Sequence, residues 1–103
     1  MKNLMMIVDA SIKDDLADQL RSLDVVEGFT FCEVEGHGSH VESDPFLSTR
    51  DKVVGYTPRV RVDILLRAED VTTVLDAVRV DIGGKITQGG IYWVTAVEEY
   101  GRV

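Results

Sequence analysis

The stretch VEGHGSHVESDPF, residues 34–46, concentrates side chains that can do chemistry. His37 and His40 stand three apart, with Glu33, Glu35, Glu42 and Asp44 around them and Cys32 close by. Imidazole, carboxylate and thiolate hold divalent metals, and a site takes three or four of them. His37, His40 and Glu42 are the candidate metal ligands. The same residues have two other readings, the mouth of a ligand site and the ordinary polarity of a loop. The flanking glycines bear on the first of these. Gly36 and Gly38 would permit a positive φ or a close backbone approach, and successive N–H groups in such a turn can cradle an anion. A plain strand-ending turn is the alternative. Lys85 and the pair Gly89-Gly90 carry the same two readings.

Arg59 and Arg61 share one face of a strand, in a chain whose net charge is −7. A bound anion or a carboxylate of a neighbouring subunit would account for two adjacent guanidinium groups. A solvated strand face is the plainer reading. The acidity argues against nucleic acid, whose binding is driven by lysine and arginine neutralising phosphates, and against docking on an anionic lipid surface. No nucleophile, base and orienting group recur at a recognisable spacing, so catalysis is not expected. Cys32 has no cysteine to pair with, which fits a reducing cytoplasm; it is expected to be a small buried hydrophobe. The opening MKNLMMIVDA is too short an apolar run for a signal peptide or a membrane span.

The elements that must position these residues are legible from periodicity. At 103 residues, 45% of them hydrophobic, the chain is expected to form one domain, residues 1–103. Leu4 to Val8 is apolar at every position, which marks a strand covered on both faces. Ser11 is placed to cap a helix over about 12–23, with Ile12, Leu16, Leu20 and Leu23 on one stripe. A second strand runs from Phe29 to about Glu35. A polar excursion without firm pattern follows to about Tyr56, and loops of that length are mostly functional or disordered. After Pro58 the alternation is clean, with Val60, Val62, Ile64 and Leu66 on one face and Arg59, Arg61 and Asp63 on the other. A second helix begins at Glu69-Asp70, runs through Val71, Val74, Leu75, Val78 and Ile82, and ends at Gly83-Gly84. Ile91 to Val97 is a last strand with no charged residue. The order β-α-β-β-α-β predicts an α+β, ferredoxin-like fold: a four-stranded antiparallel sheet with both helices on one face. Strands one and four are apolar on both faces, so the helix-free face must meet something dry, and a homo-oligomer is expected. Tyr92 and Trp93 are expected in the core or at that interface.

These residues resemble the PII signal-transduction superfamily, and within it a small PII-like branch; the likeness to CutA proteins is more distant. The resemblance is carried by Gly28-Phe29-Thr30, by Gly36-His37-Gly38 and the polar excursion after it, by the Pro58-Arg59-Val60-Arg61-Val62 opening of strand three, and by Tyr92-Trp93. It implies a cytoplasmic homotrimer with ligand clefts between subunits. The ligands implied are adenine nucleotides (ADP, AMP or ATP) or a small anion such as bicarbonate. It also implies a T-loop, here residues 37–56, through which a membrane transporter or enzyme is addressed. The CutA likeness, with the histidines, implies the alternative of a divalent metal-binding protein serving metal tolerance or efflux. Gly36, Gly38, Arg59, Gly89 and Arg102 match ligand-contacting positions of the family. With His37, Arg61 and Gly90 they form the candidate ligand-binding set. Three departures stand out, one being that the tail holds a single arginine, Arg102, where PII proteins hold two. Thr87-Gln88-Gly89-Gly90 replaces a glycine-aspartate-glycine-lysine turn and lacks its phosphate-binding lysine, so tight triphosphate binding is not expected. Lys52 stands near the place of a modified tyrosine, so covalent control of that kind is not expected either.

Overall fold

The structure, a computed structural model, describes residues 1–37, 57–85 and 90–103. Strand β1 spans Lys2–Asp9 and leads through a 3₁₀ turn, Ala10–Ile12, into helix α1, Lys13–Arg21. Strands β2, Thr30–Gly36, and β3, Thr57–Leu66, precede a second 3₁₀ turn, Ala68–Asp70, and helix α2, Val71–Ile82. A third 3₁₀ turn, Gly83–Lys85, and strand β4, Ile91–Ala96, complete the order. The sheet is antiparallel throughout, in the order β2-β3-β1-β4. This is the α+β, ferredoxin-like arrangement that the periodicity predicts.

The core lies between the helices and one face of the sheet. Leu4, Met6 and Val8 of β1 and Val60, Val62, Ile64 and Leu66 of β3 meet Leu16 and Leu20 of α1 and Val74, Leu75, Val78 and Ile82 of α2. Alternation along each strand and 3–4 spacing along each helix give these elements a single apolar side, and burying that side is what fixes them. The helix starts differ from the expectation. Ser11 does not cap α1; it lies inside the first 3₁₀ turn, and no side chain caps either that turn or the helix. Its first orphan N–H groups are met by tighter backbone bonding instead, as when the Lys13 N–H donates to the Ala10 carbonyl. Asp9, just before the turn, has extended backbone (φ −56°, ψ 138°), but its carboxylate pairs with Arg59 and makes no capping bond. At the other end the Ser22 hydroxyl donates to the Gln19 carbonyl at 2.6 Å, and α1 stops at Arg21.

The helix-free face is mixed. Asn3, Met5, Ile7 and Asp9 of β1 lie there beside Arg59, Arg61, Asp63 and Leu65 of β3 and Ile91, Trp93 and Thr95 of β4, as the registers require. Met5 is fully buried without a helix above it, hemmed by its register partners Trp93 and Asp63. Strand β4 is different. Ile91, Tyr92, Trp93 and Val94 are 39–52% exposed, an uncharged edge strand open on both faces. Tyr92 and Trp93 are therefore not core residues of the lone chain. Leu20→Ala is expected to lower the unfolding free energy by about 2–5 kcal/mol, whereas exposed Val80→Ala stays within about 0.5 kcal/mol; urea unfolding monitored by circular dichroism checks both.

Candidate functional site

Antiparallel pairing brings four chain ends together. β1 ends at Asp9, β2 ends at Gly36, β3 begins at Thr57 and β4 begins at Ile91, all at the same end of the sheet. The two segments that the sequence marks for ligand contact, 37–56 and 86–90, therefore leave from one end. Of the candidate residues, Gly38, His40, Glu42 and Gly89 lie outside the described residues.

Gly36 closes β2 and is not in the left-handed region; what requires a glycine is proximity. A Cβ there would stand 2.6 Å from Cδ and 2.7 Å from Nε of Arg59. The Arg59 stem passes over this point, and its Nη1 reaches Oδ1 of Asp9 at 3.3 Å, with only 10% and 16% of the two side chains exposed. The expected close approach is thus made by Arg59 of the same chain. Arg61 also has an intrachain carboxylate. Its Nε and Nη2 donate to Oδ2 and Oδ1 of Asp63 at 2.9 and 3.0 Å, and the Asn3 amide donates to the same Oδ1 at 3.0 Å. The Arg61 hydrogen bonds hold the Asp63 carboxyl below the usual carboxylate range against the opposing effect of partial burial, with a smaller contribution from Asn3. His37 lies just past β2, its Nε2 3.5 Å from Oε2 of Glu35, both side chains exposed. Lys85 Nζ lies 3.0 Å from Oδ2 of Asp15 in the first turn of α1. Among the described residues no three His, Cys, Asp or Glu side chains gather as a metal site. Cys32 is exposed, on the helix-free face opposite Arg61, because β2 is an edge strand; the expectation of a buried thiol is overturned.

Two clefts flank this frame. One, of about 370 Å³, opens between α2 and β4 at the loop end and is lined by Gly83, Gly90, Arg79 and Tyr92 over the apolar Met6 and Val78. Arg79 stacks on the Tyr92 ring, 5.4 Å from its centroid. The other, of about 810 Å³, lies at the opposite end, where Arg102 and Tyr100 of the tail meet Asn3, Thr30, Asp63 and Leu65. The chain thus gathers Gly36, Arg59 and Gly90 at one end of the sheet and leaves Arg102 at the other. Arg59 pairs with Asp9 and Arg102 lines a cleft with Asn3, so roughly six residues of β1, about 20 Å at strand rise, separate them.

A family model described as a protein of unknown function, DUF3240, matches residues 1–103. A nitrogen regulatory protein P-II from Rhizobium leguminosarum bv. viciae is 31% identical over 99 residues, which span 93% of this chain and 88% of that protein. The chain belongs to the DUF3240 family of the PII-like superfamily. Two solved structures share its fold. A DUF3240 family protein from Shewanella baltica OS155 has a TM-score of 0.76 at 20% identity. CPII, a nitrogen regulatory PII-like protein from Thiomonas intermedia K12, has a TM-score of 0.69 at 18% identity and was solved bound to ADP, AMP and bicarbonate. Each match covers 99% of this chain and 94% of the other.

In this PII-like chain the sequence reading missed the acceptors. Asp9, Asp15 and Asn3 are remote in sequence from Arg59, Lys85 and Asp63, and only the strand register and helix packing join them. Asp63 had a local signal, since it follows Arg61 by two on the same strand face. Two outcomes are expected. Gly36→Ala pushes Arg59 off Asp9 and lowers stability by about 1–3 kcal/mol, as overpacking does. In a double-mutant cycle with Asp9→Ala the two losses are less than additive, because both break one contact. Asp63 contributes stability that is complete above the ordinary carboxylate range and lost as pH falls through its lowered folded value. Asp63→Asn is therefore less stable at neutral pH and has a flatter acid limb below that range, measured by thermal unfolding against pH.

Proposed function

We propose that this chain is a non-catalytic, homotrimeric regulator of the cytoplasm, one domain per subunit, that senses an adenine nucleotide or a small anion such as bicarbonate in clefts between its copies. It passes the signal to a transporter or enzyme through residues 37–56. The observation that carries this reading is the division of the ligand-facing residues. Gly36, Arg59 and Gly90 stand at one end of the sheet and Arg102 at the other, so one small ligand meets both groups only where two copies abut. The exposed apolar edge of β4, with Leu65 and Trp93 on the helix-free face, supplies the surface for that contact. Family membership and the ADP, AMP and bicarbonate of CPII support the ligand class. Signalling then follows from a population shift: a ligand at the base of 37–56 favours the loop arrangement that the target recognises. Among the described residues no helix is long and apolar enough to cross a membrane.

Sedimentation velocity is expected to give three times the chain mass at micromolar concentration, and calorimetry to give binding of ADP or AMP. Trp93→Glu puts a charge in the apolar edge of β4, and is expected to yield single copies that no longer bind nucleotide. A parent chain that sediments as one copy, or gives no heat with ADP, AMP, ATP and bicarbonate alike, overturns the reading.

A further inference from the structure

The ion pair at the base of 37–56 bears on how an acidic protein accepts an anion. Asp9 ends β1 and opens the 3₁₀ turn into α1, while Arg59 begins β3, and the two are register partners. Their side chains are almost wholly shielded from water, which strengthens their attraction over that of an open surface pair. A guanidinium held that way is not free to be left unpaired, because an uncompensated shielded charge costs several kcal/mol. A phosphate presents two oxygens to the guanidinium fork, as a carboxylate does. Exchanging one anion for the other keeps Arg59 paired throughout.

We propose that Asp9 is the carboxylate with which a phosphate-bearing ligand competes for Arg59, and that it thereby sets the affinity of the site. This rests on the reading of Arg59 as ligand-facing. The chain holds Arg59 across Gly36 and against Asp9. The bound ligand takes Nη1 for its phosphate, and Asp9 is released at the turn that starts α1. The exchange couples occupancy of the cleft to the junction of β1 with α1, a place where no ligand need touch. It also limits affinity, since the ligand replaces an existing partner and does not fill an empty socket.

The test is calorimetry with ADP on the full chain and four variants. Asp9→Asn keeps the shape and removes the charge, and is expected to bind ADP about tenfold more tightly, about 1.4 kcal/mol. Arg59→Gln binds more weakly, and Asp9→Asn/Arg59→Gln shows no gain over Arg59→Gln alone, which ties the effect to this pair. Asp18→Asn removes an equal charge from the exposed outer side of α1 and leaves affinity unchanged, excluding an effect of net charge. Should Asp9→Asn fail to fold, the parent answers the question: the carboxyl ¹³C resonance of Asp9 shifts on saturation with ADP. Equal or weaker ADP binding by folded Asp9→Asn beside a parent that binds, or an Asp9 resonance that stays in place, overturns the exchange and leaves the proposed function standing. No heat with ADP, AMP or ATP from the parent and every variant overturns the exchange, and the same result with bicarbonate as well overturns both.

Discussion

The rest of the structure depends on the placement of β1 between β3 and β4. Strand β1 lies inside the sheet, and its LMMIV stretch is apolar at every position. The helices cover Leu4, Met6 and Val8. On the other side Met5 is enclosed by neighbours on the flanking strands, so part of that face is dry without any helix. The same antiparallel registers decide the chemistry. They set Asp9 against Arg59, Asn3 beside Asp63, and the ends of both candidate ligand segments at one end of the sheet. A shift of β1 by one residue against β3 would turn Leu4 and Met6 outward and separate every one of these pairs. Core packing and the arrangement of the site are therefore one constraint.

The fold was legible because its signals are local. Alternation through Val60, Val62, Ile64 and Leu66 and the stripes of the two helices each follow from burying one side of one element, and the boundaries fall within two residues of those periodicities. The helix starts were not legible, since Ser11 looks like a cap but a short β-to-α connection satisfies the same N–H groups through 3₁₀ bonding. Cys32 failed for a different reason. Its residue type favours burial, but edge position and strand phase place it outside the core, and neither can be read from one residue.

The candidate site was legible in its cations and glycines and illegible in its carboxylates. Arg59, Gly36 and Gly90 could be singled out because arginine in an acidic chain and glycine at a strand end each ask for a reason. The reason for Gly36 turned out to be the Arg59 stem, a contact across the β2–β3 pairing. Asp9 is fifty positions from its partner and looks, in sequence, like the polar residue that ends an apolar strand. In a chain with 18 acidic residues no single carboxylate stands out, so the partner of a cation has to be found by register.

That excess of acid shapes what the site can do. With a net charge of −7 the whole molecule repels an anionic ligand at long range, although at physiological salt the screening length is only about 8 Å. Attraction must then come from the immediate surroundings of the cleft, where dipoles and individual guanidinium groups act at hydrogen-bond distance. At the loop end Arg59 and Lys85 each lie beside a carboxylate of their own chain, Asp9 and Asp15. A phosphate that takes either cation competes with that carboxylate. Such a site discriminates by geometry more than by charge. A ligand must offer an anionic group that fits the arginine fork better than the resident carboxylate does, together with other contacts that the carboxylate cannot make. An organic ligand bearing a phosphate meets both conditions. A bare small anion lacks those other contacts, and at this pair it competes with the resident carboxylate on nearly equal terms.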